Sequence, residues 1–559
     1  MPLKLILLLS IFLLSFPSCY ASKLTPQKSA IATAHPLATQ AGEDILRQGG
    51  NAFDAAVAIT AALAVVEPYS SGLGGGGFWM LHQSQENKTI FLDGREKAPL
   101  AAHRDMYLDE QGNYIKGSSV NGALAAGIPG TVAAMVKLAE NYGRLPLSTS
   151  IQSAINYAQN GFKVTKHYKR MINFRKQTIR QSSAAAAVFL DNNEVPELGH
   201  IIRQPDLANT LKSISQHGND GFYQGPVAEK LVEGVRQAGG IWSLEDLAAY
   251  KVVEREPIQF KFQDLIIYSA PPPSSGGIAL NEILNILSLY KLEKLPNSQR
   301  IHIIVEAMRR AYRDRAEYLG DSDFVNIPIT QLTSPDYAAG LAVTIHPQQN
   351  TPSSSLAGYQ HPSGGNDTTH FAVMDQYGNS VSATMSINYP FGSGFIPPGT
   401  GILLNDEMDD FAAKPGVPNV YGLVGAEANS IIAEKRPLSS MSPSYIESPH
   451  GTALIGTPGG SRIITMVLLA ILELKDSFNP QDWVDLPRFH HQYLPDVIQY
   501  EKAAFEQKLI DALQAKGHQL KPVNEYGNMQ AIWWDYKSGQ VNSASDRRGE
   551  GYAKSFKVQ

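Results

Sequence analysis

Asn366-Asp367-Thr368-Thr369-His370-Phe371-Ala372-Val373-Met374 is the stretch from which the fold of this chain is read. From Thr368 the residues alternate as a strand, with Thr369, Phe371 and Val373 on one face and His370, Ala372 and Met374 on the other. Asp375-Gln376-Tyr377-Gly378-Asn379 has the composition of a tight turn, and Ser380 to Asn388 reads as the return strand. A hairpin centred between Gln376 and Asn379 pairs position 368 with about position 387, which sets Ser386, Ile387 and Asn388 beside the first residue of the first strand. An acidic residue followed by a hydroxyl residue at the head of a strand can begin a mature chain. With the Asp367–Thr368 bond cut, Thr368 carries a hydroxyl and a free α-amine, and the amine can act as base for its own side chain. Taken alone, Thr-Thr reads first as β-branched strand filler, so the rest of the chain has to decide.

The 559 residues, 43% hydrophobic and 18% charged, allow about two to four domains or one large multilayer unit. A net charge of −5 without long basic or acidic blocks gives no reason to expect nucleic acid as a partner. The N-terminus differs in kind. Lys4, the apolar run Leu5 to Phe16 and the small residues at Cys19 and Ala21 read as a cleaved secretory signal over residues 1–21, too short for a membrane span. Export to the periplasm or the exterior follows. An uncleaved anchor stays open, as does lipid on Cys19, although Phe16-Pro17-Ser18 is a poor context for it. Cys19 is the only cysteine, so the mature chain has no thiol for a nucleophile, a disulfide or a thiolate metal site.

In chain order, Pro36–Leu46 and Phe53–Val66 read as Ala-rich helices, with Asn51 placed to cap the second. The glycines after Ser70-Ser71-Gly72-Leu73 lack the Gly-Lys-Ser/Thr of a phosphate loop and read as a close-packed turn into the strand Phe78–His82. Ile90–Glu96 is a second strand, in which Arg95 reads either as a surface arginine or as a guanidinium fork for a carboxylate. Gly127 to about Gly240 is mostly helical. Ile258–Tyr268 returns to strand periodicity, and Pro271-Pro272-Pro273-Ser274-Ser275-Gly276-Gly277 leads into a helix over Ile278–Leu289. Arg300–Leu319 is a long helix whose Arg309, Arg310, Arg313 and Arg315 read as a salt-bridged face. Residues 346–367 are the least structured by composition, and the chain beyond Thr368 is strand-rich, which suggests a helical first half and a β-rich second half.

Beyond the hairpin, Asn405-Asp406-Glu407-Met408-Asp409-Asp410 comes after a short strand at Ile402–Leu404 and is either a solvated acidic loop or a carboxylate pair for an ammonium group. Residues 414–431, with Tyr421, are long enough for a lid. Ser439 and Ser440 can donate to a carboxylate or simply turn the chain. Gly459 and Gly460, between the strand Ala453–Gly456 and the helix Ile463–Leu472, can expose amides suited to an oxyanion hole. His490 and His491 have no partner at ligand spacing and read as structural.

Taken together, the glycine run before Phe78, Leu92–Glu96, Pro271–Gly277, Thr368–His370, Asn405–Phe411, Pro437–Pro443, Pro458–Arg462 and Pro487–Gln492 resemble, in order, the gamma-glutamyltranspeptidase (glutathione hydrolase) family of N-terminal-nucleophile hydrolases. The resemblance implies an α+β, four-layer αββα sandwich built from both chains of a self-cleaved precursor. It implies cleavage between Asp367 and Thr368, giving a large subunit 22–367 and a small subunit 368–559 that stay together as a heterodimer. Thr368 would then form a γ-glutamyl-enzyme from glutathione or another γ-glutamyl compound, released to water or to an amino acid or peptide acceptor. By motif, Arg95 with Ser439 and Ser440 would hold the α-carboxylate, and Asn388, Glu407 and Asp410 the α-ammonium. Gly459 and Gly460 would stabilise the oxyanion, Ser386 would contact the nucleophile, and Tyr421 would belong to the lid. No cofactor or metal is implied.

Three positions depart from the pattern: Ser386 stands where threonine is usual, Gly94 where an aromatic is frequent, and Glu407 where some bacterial members have glutamine. Gly94 suggests looser packing beneath Arg95. Asn366-Asp367-Thr368 is also formally a glycosylation sequon. The rivals are a cephalosporin or glutaryl acylase on the same scaffold and a secreted γ-glutamyl-binding protein without turnover.

Overall fold

A computed structural model describes residues 25–356 and 368–558; residues 1–21, Asn366 and Asp367 lie outside the described residues. Two antiparallel sheets are stacked face to face. The first has seven strands in the order Tyr552–Phe556, Ser29–Thr33, Thr369–Met374, Ser380–Ser386, Gly76–Gln83, Lys88–Gly94 and Val253–Arg255. The second has six, in the order Val541–Ser545, Gln530–Asp535, Gly451–Gly456, Ser444–Glu447, Leu265–Ser269 and Ile258–Phe262. Period-two alternation assigns each strand two apolar faces. Ala372 and Met374 turn inward with Phe78 and Met80 against Ile267, Ala453, Ile455 and Ala531 of the second sheet. Phe371 and Val373 turn outward against helices.

The outward face of the first sheet is covered by Pro36–Arg47, Ala52–Val66 and Thr131–Asn141. The helix Ala52–Val66 is apolar on every side, and all of it is buried. It starts where Asn51 and Asp54 each satisfy the other's backbone N–H in a capping box. The helices Gly276–Ser288 and Ile463–Leu474 cover the second sheet, and Asn297–Tyr318 packs against Gly276–Ser288. The result is the expected αββα sandwich.

The chain is helix-rich before Thr368 and strand-rich after it, as expected, but the two parts do not fold apart, because both sheets mix strands from before and after Thr368. Ile258–Tyr268 is two strands, Ile258–Phe262 and Leu265–Ser269, turned at Gln263 with φ +56°. Leu404 makes only an isolated bridge to Gly74 rather than ending a strand. The hairpin register differs from expectation by one residue: Thr369 pairs with Met385, which puts Thr368 opposite Ser386. The reason is an odd loop. Asp375 and Asn379 close around Gln376-Tyr377-Gly378, with Gly378 at φ +86°.

Residues 346–356 are not loose, despite their composition. Ser353 donates through its hydroxyl to Tyr493 O (2.6 Å) and through its amide to Asp496 Oδ2 (2.7 Å), while Thr351 N donates to Glu306 Oε1 (3.1 Å).

Candidate active site

Thr368 sits at the head of its strand, buried, with Oγ1 3.4 Å from Ser386 Oγ on the paired strand. The Ser386 hydroxyl accepts from Asn388 N (2.8 Å), and Asn388 lies past the strand end at φ +71°. Its side-chain amide donates to Asp406 O (3.0 Å), which ties the hairpin to the acidic segment. Close approach is possible because the glycine run has no side chains. A Cβ on Gly75 would collide with Ser386 O, and one on Gly74 with Leu403 O.

Arg95, Ser386, Asn388, Glu407, Asp410, Tyr421, Ser439, Ser440 and Gly460 line one pocket with Thr368. Within it Arg95, 1% exposed, faces three carboxylates: Glu407 at 2.9 Å, Asp410 at 2.6 Å and Glu96 at 3.6 Å. Arg95 Nε also donates to Pro437 O (3.2 Å). Burial would weaken the guanidinium's hold on its proton, but Glu407, Asp410 and Glu96 outweigh it and raise its pKa. The same burial pushes Glu407 and Asp410 up against the pull of Arg95, and Glu96 up to about 8. One cation against three acids is an electrostatic imbalance that a ligand ammonium would relieve.

The two serines line the same pocket. Ser439 Oγ accepts from Met441 N (3.1 Å), and Ser440 Oγ accepts from Arg315 Nη2 (3.2 Å). Neither hydroxyl donates to a described group, so both protons are available to an acceptor such as a carboxylate. A zwitterionic amino-acid head group matches this donor and acceptor set.

Gly459 (φ +144°) and Gly460 (φ +55°) form the turn between the strand Gly451–Gly456 and the helix Ile463–Leu474. Both conformations disfavour side chains, and a Cβ on Gly460 would meet the Tyr421 ring 2.5 Å away. Gly460 lines the pocket just described. Gly459 lines a second cavity of about 280 Å³ that also reaches Thr368, with Glu67, His167, Tyr526 and Asn528 around it. The double glycine therefore stands between two spaces that share Thr368. Tyr421 closes the first, its hydroxyl donating to Asn388 O. The lid around it is held by Asn419 Nδ2 on Asp410 (3.0 Å) and Val420 N on Asp409 (2.9 Å).

Every proposed site residue within the described range is brought to Thr368's two cavities; Asp367 lies outside that range. Sequence reasoning missed the apolar liners Leu423, Met441 and Ile463. It also misjudged Arg315, which reaches Ser440 rather than a surface acid. The looser packing inferred from Gly94 is not found: a Cβ there would lie 2.9 Å from the Trp79 ring and 3.1 Å from Ala134 Cβ, so tryptophan fills the space from the next strand. His490 bonds Thr465 (2.9 Å) and Gln492 (2.8 Å), and His491 bonds Asp496 (3.2 Å), in keeping with structural roles.

Among known protein families, the chain matches Gamma-glutamyltranspeptidase over residues 38–556. It is 44% identical over 506 residues to the "Glutathione hydrolase proenzyme" of Pseudomonas sp. strain A14, covering 89% of this chain and 88% of that one. It is 42% identical over 528 residues to the "Glutathione hydrolase proenzyme" of Escherichia coli K12, covering 93% and 90%. Among solved structures, a cephalosporin acylase from Bacillus halodurans superposes with a TM-score of 0.83 at 28% identity, over 98% of this chain and 99% of that one.

Proposed function

The chain belongs to the gamma-glutamyltranspeptidase family, and from that premise we propose how its residues carry out a glutathione hydrolase's chemistry. It is a self-processing γ-glutamyltransferase and glutathione hydrolase that acts on γ-glutamyl compounds. In our reading, Thr368 Oγ1 first adds to the Asp367 carbonyl. The peptide C–N bond breaks, water cleaves the resulting ester, and the α-amine of Thr368 is freed. The subunits 22–367 and 368–559 then remain together.

In turnover the α-amine takes the Thr368 hydroxyl proton as Oγ1 adds to the γ-carbonyl of the donor. The Gly459 and Gly460 amides receive the oxyanion. The leaving amine takes the proton as its C–N bond breaks, which leaves a γ-glutamyl ester on Thr368. Water or an acceptor amine adds to that ester, and collapse returns the hydroxyl. Arg95, Ser439 and Ser440 hold the donor's α-carboxylate, while Asn388, Glu407 and Asp410 hold its α-ammonium. Ser386 orients the nucleophile, and Tyr421 keeps the lid on the pocket. Residues 1–21 direct export.

The observation that carries this reading is that Thr368 lines the same pocket as Arg95, which is set among three carboxylates. A donor panel tests it. The processed enzyme should release p-nitroaniline from γ-glutamyl-p-nitroanilide and scarcely from glutaryl-p-nitroanilide, which lacks the ammonium. Preference for the glutaryl donor would transfer the protein to the acylases, and binding without release would make it a binding protein.

A further inference from the structure

The helix Asn297–Tyr318 carries five arginines, and of the four from Arg309 onward three are paired: Arg309 with Glu306 and Asp496, Arg310 with Glu306 (2.7 Å) and Arg313 with Asp314 (2.8 Å). Arg315 has no ion-pair partner among the described residues, although it is only 4% exposed. An unpaired buried cation is costly, so its retention asks for a reason. Its hydrogen bonds supply one. Nη2 donates to Ser440 Oγ (3.2 Å), and Nε donates to Ser275 Oγ (3.0 Å). Ser275 in turn donates to the carbonyl of Ser439, through its amide (2.9 Å) and its hydroxyl (2.8 Å).

These bonds give work to the Pro271–Gly277 segment, which does not line the donor pocket. Ser439 N donates to Pro273 O (2.8 Å), and Ser274 Oγ donates to Met441 O (2.7 Å), so this segment runs alongside Ser439–Met441 as a brace. The Arg315 side chain donates both to the brace, at Ser275, and to the pocket serine, at Ser440. A hydroxyl that accepts from a guanidinium must point its own proton elsewhere, and for Ser440 the open direction is the pocket it lines. Burial pushes the Arg315 pKa down to about 10, with Asp410 opposing, so the group stays charged in the neutral range.

We propose that Arg315 is a positioning residue for the donor's α-carboxylate: it orients Ser440 directly, and Ser439 through Ser275, so that both hydroxyl protons face the ligand. This rests on the reading of the pocket as a γ-glutamyl site. Arg315 touches no substrate atom in this scheme; it determines how strongly a free α-carboxylate is recognised.

The test compares processed wild type with Arg315→Gln on two anilides, γ-glutamyl-p-nitroanilide and 4-aminobutanoyl-p-nitroanilide, which keeps the amine and lacks the carboxylate. For the first, Arg315→Gln should raise KM by about tenfold or more with kcat changed by less than about threefold. For the second, kcat/KM should not move. Arg315→Gln and Ser440→Ala combined should cost less than the product of the two single effects, because the residues act through one contact. Arg315→Lys should restore part of the loss. Should Arg315→Gln fail to process, Ser275→Ala supplies the same comparison, since it removes the hydroxyl through which Arg315 reaches Ser439, keeps the Ser275 amide on the Ser439 carbonyl and leaves the charge in place. An unchanged KM, or an equal loss on both donors, would overturn the proposal. A wild type that does not distinguish the two donors would instead overturn the γ-glutamyl reading beneath it.

Discussion

Arg95 is outnumbered three to one by acids inside a largely buried site, and the ligand that best answers that arrangement brings an ammonium and a carboxylate together. Replacing Asp410 by Asn removes one acid yet leaves Arg95 with Glu407 and Glu96, so the fold and self-cleavage should survive. The lost charge-assisted contact is worth roughly 1.5–3 kcal/mol, which predicts a KM for γ-glutamyl-p-nitroanilide about ten- to a hundredfold higher, read by steady-state kinetics. At this scale the sequence is most legible where chemistry restricts residue type: a guanidinium, paired carboxylates, paired hydroxyls and two glycines can each be named in advance. Arg315 was not legible, because a helical run of arginines looks the same whether its members meet acids or serines. Gly94 misled for the opposite reason, since the side chain filling its space, Trp79, comes from the neighbouring strand.

Among the elements, the hairpin shows how far pattern reaches and where it stops. Alternation gave both strands and their faces, but the register depends on whether the loop is odd or even, and Gly378 at positive φ decides for three residues. The same lesson applies to residues 346–356, whose Pro, Ser and Gln suggest looseness while buried partners on other elements hold them. Glu306 is the centre of that hold. Burial would raise its pKa, but Arg309, the Thr351 amide and Arg310 prevail and bring it from 4.5 down to about 2. The folded state therefore binds fewer protons than the unfolded state between these values. Its contribution is full above about pH 4.5 and is lost as pH falls towards 2, on the order of 3 kcal/mol. Glu306→Gln should lower stability near pH 7 and flatten the acid limb of a urea-unfolding series. An acid limb as steep as that of the wild type would show that other carboxylates govern it.

For the whole molecule, the strand Ser29–Thr33 lies between Tyr552–Phe556 and Thr369–Met374, so a strand from before Thr368 is flanked on both sides by strands from after it. The second sheet likewise joins Leu265–Ser269 to Ser444–Glu447 across the same boundary. A cut before Thr368 would sever one peptide bond and none of these ladders. The two chains should therefore co-elute from a sizing column in molar salt and separate only in denaturant; separation by salt alone would contradict the interleaved sheets. Composition could not have foretold this mixing, since strand partners across hundreds of residues are chosen by tertiary packing.

The central claim is that Thr368 is the nucleophile of its own release and of turnover. Intact mass and N-terminal sequencing of purified wild type beside Thr368→Ala test it most directly. The account predicts two chains in the wild type, one beginning at Thr368 and the other near Ser22, and a single uncut, inactive chain in the variant. An uncut wild type that still turns over γ-glutamyl-p-nitroanilide, or a variant cleaved at the same bond, would contradict it.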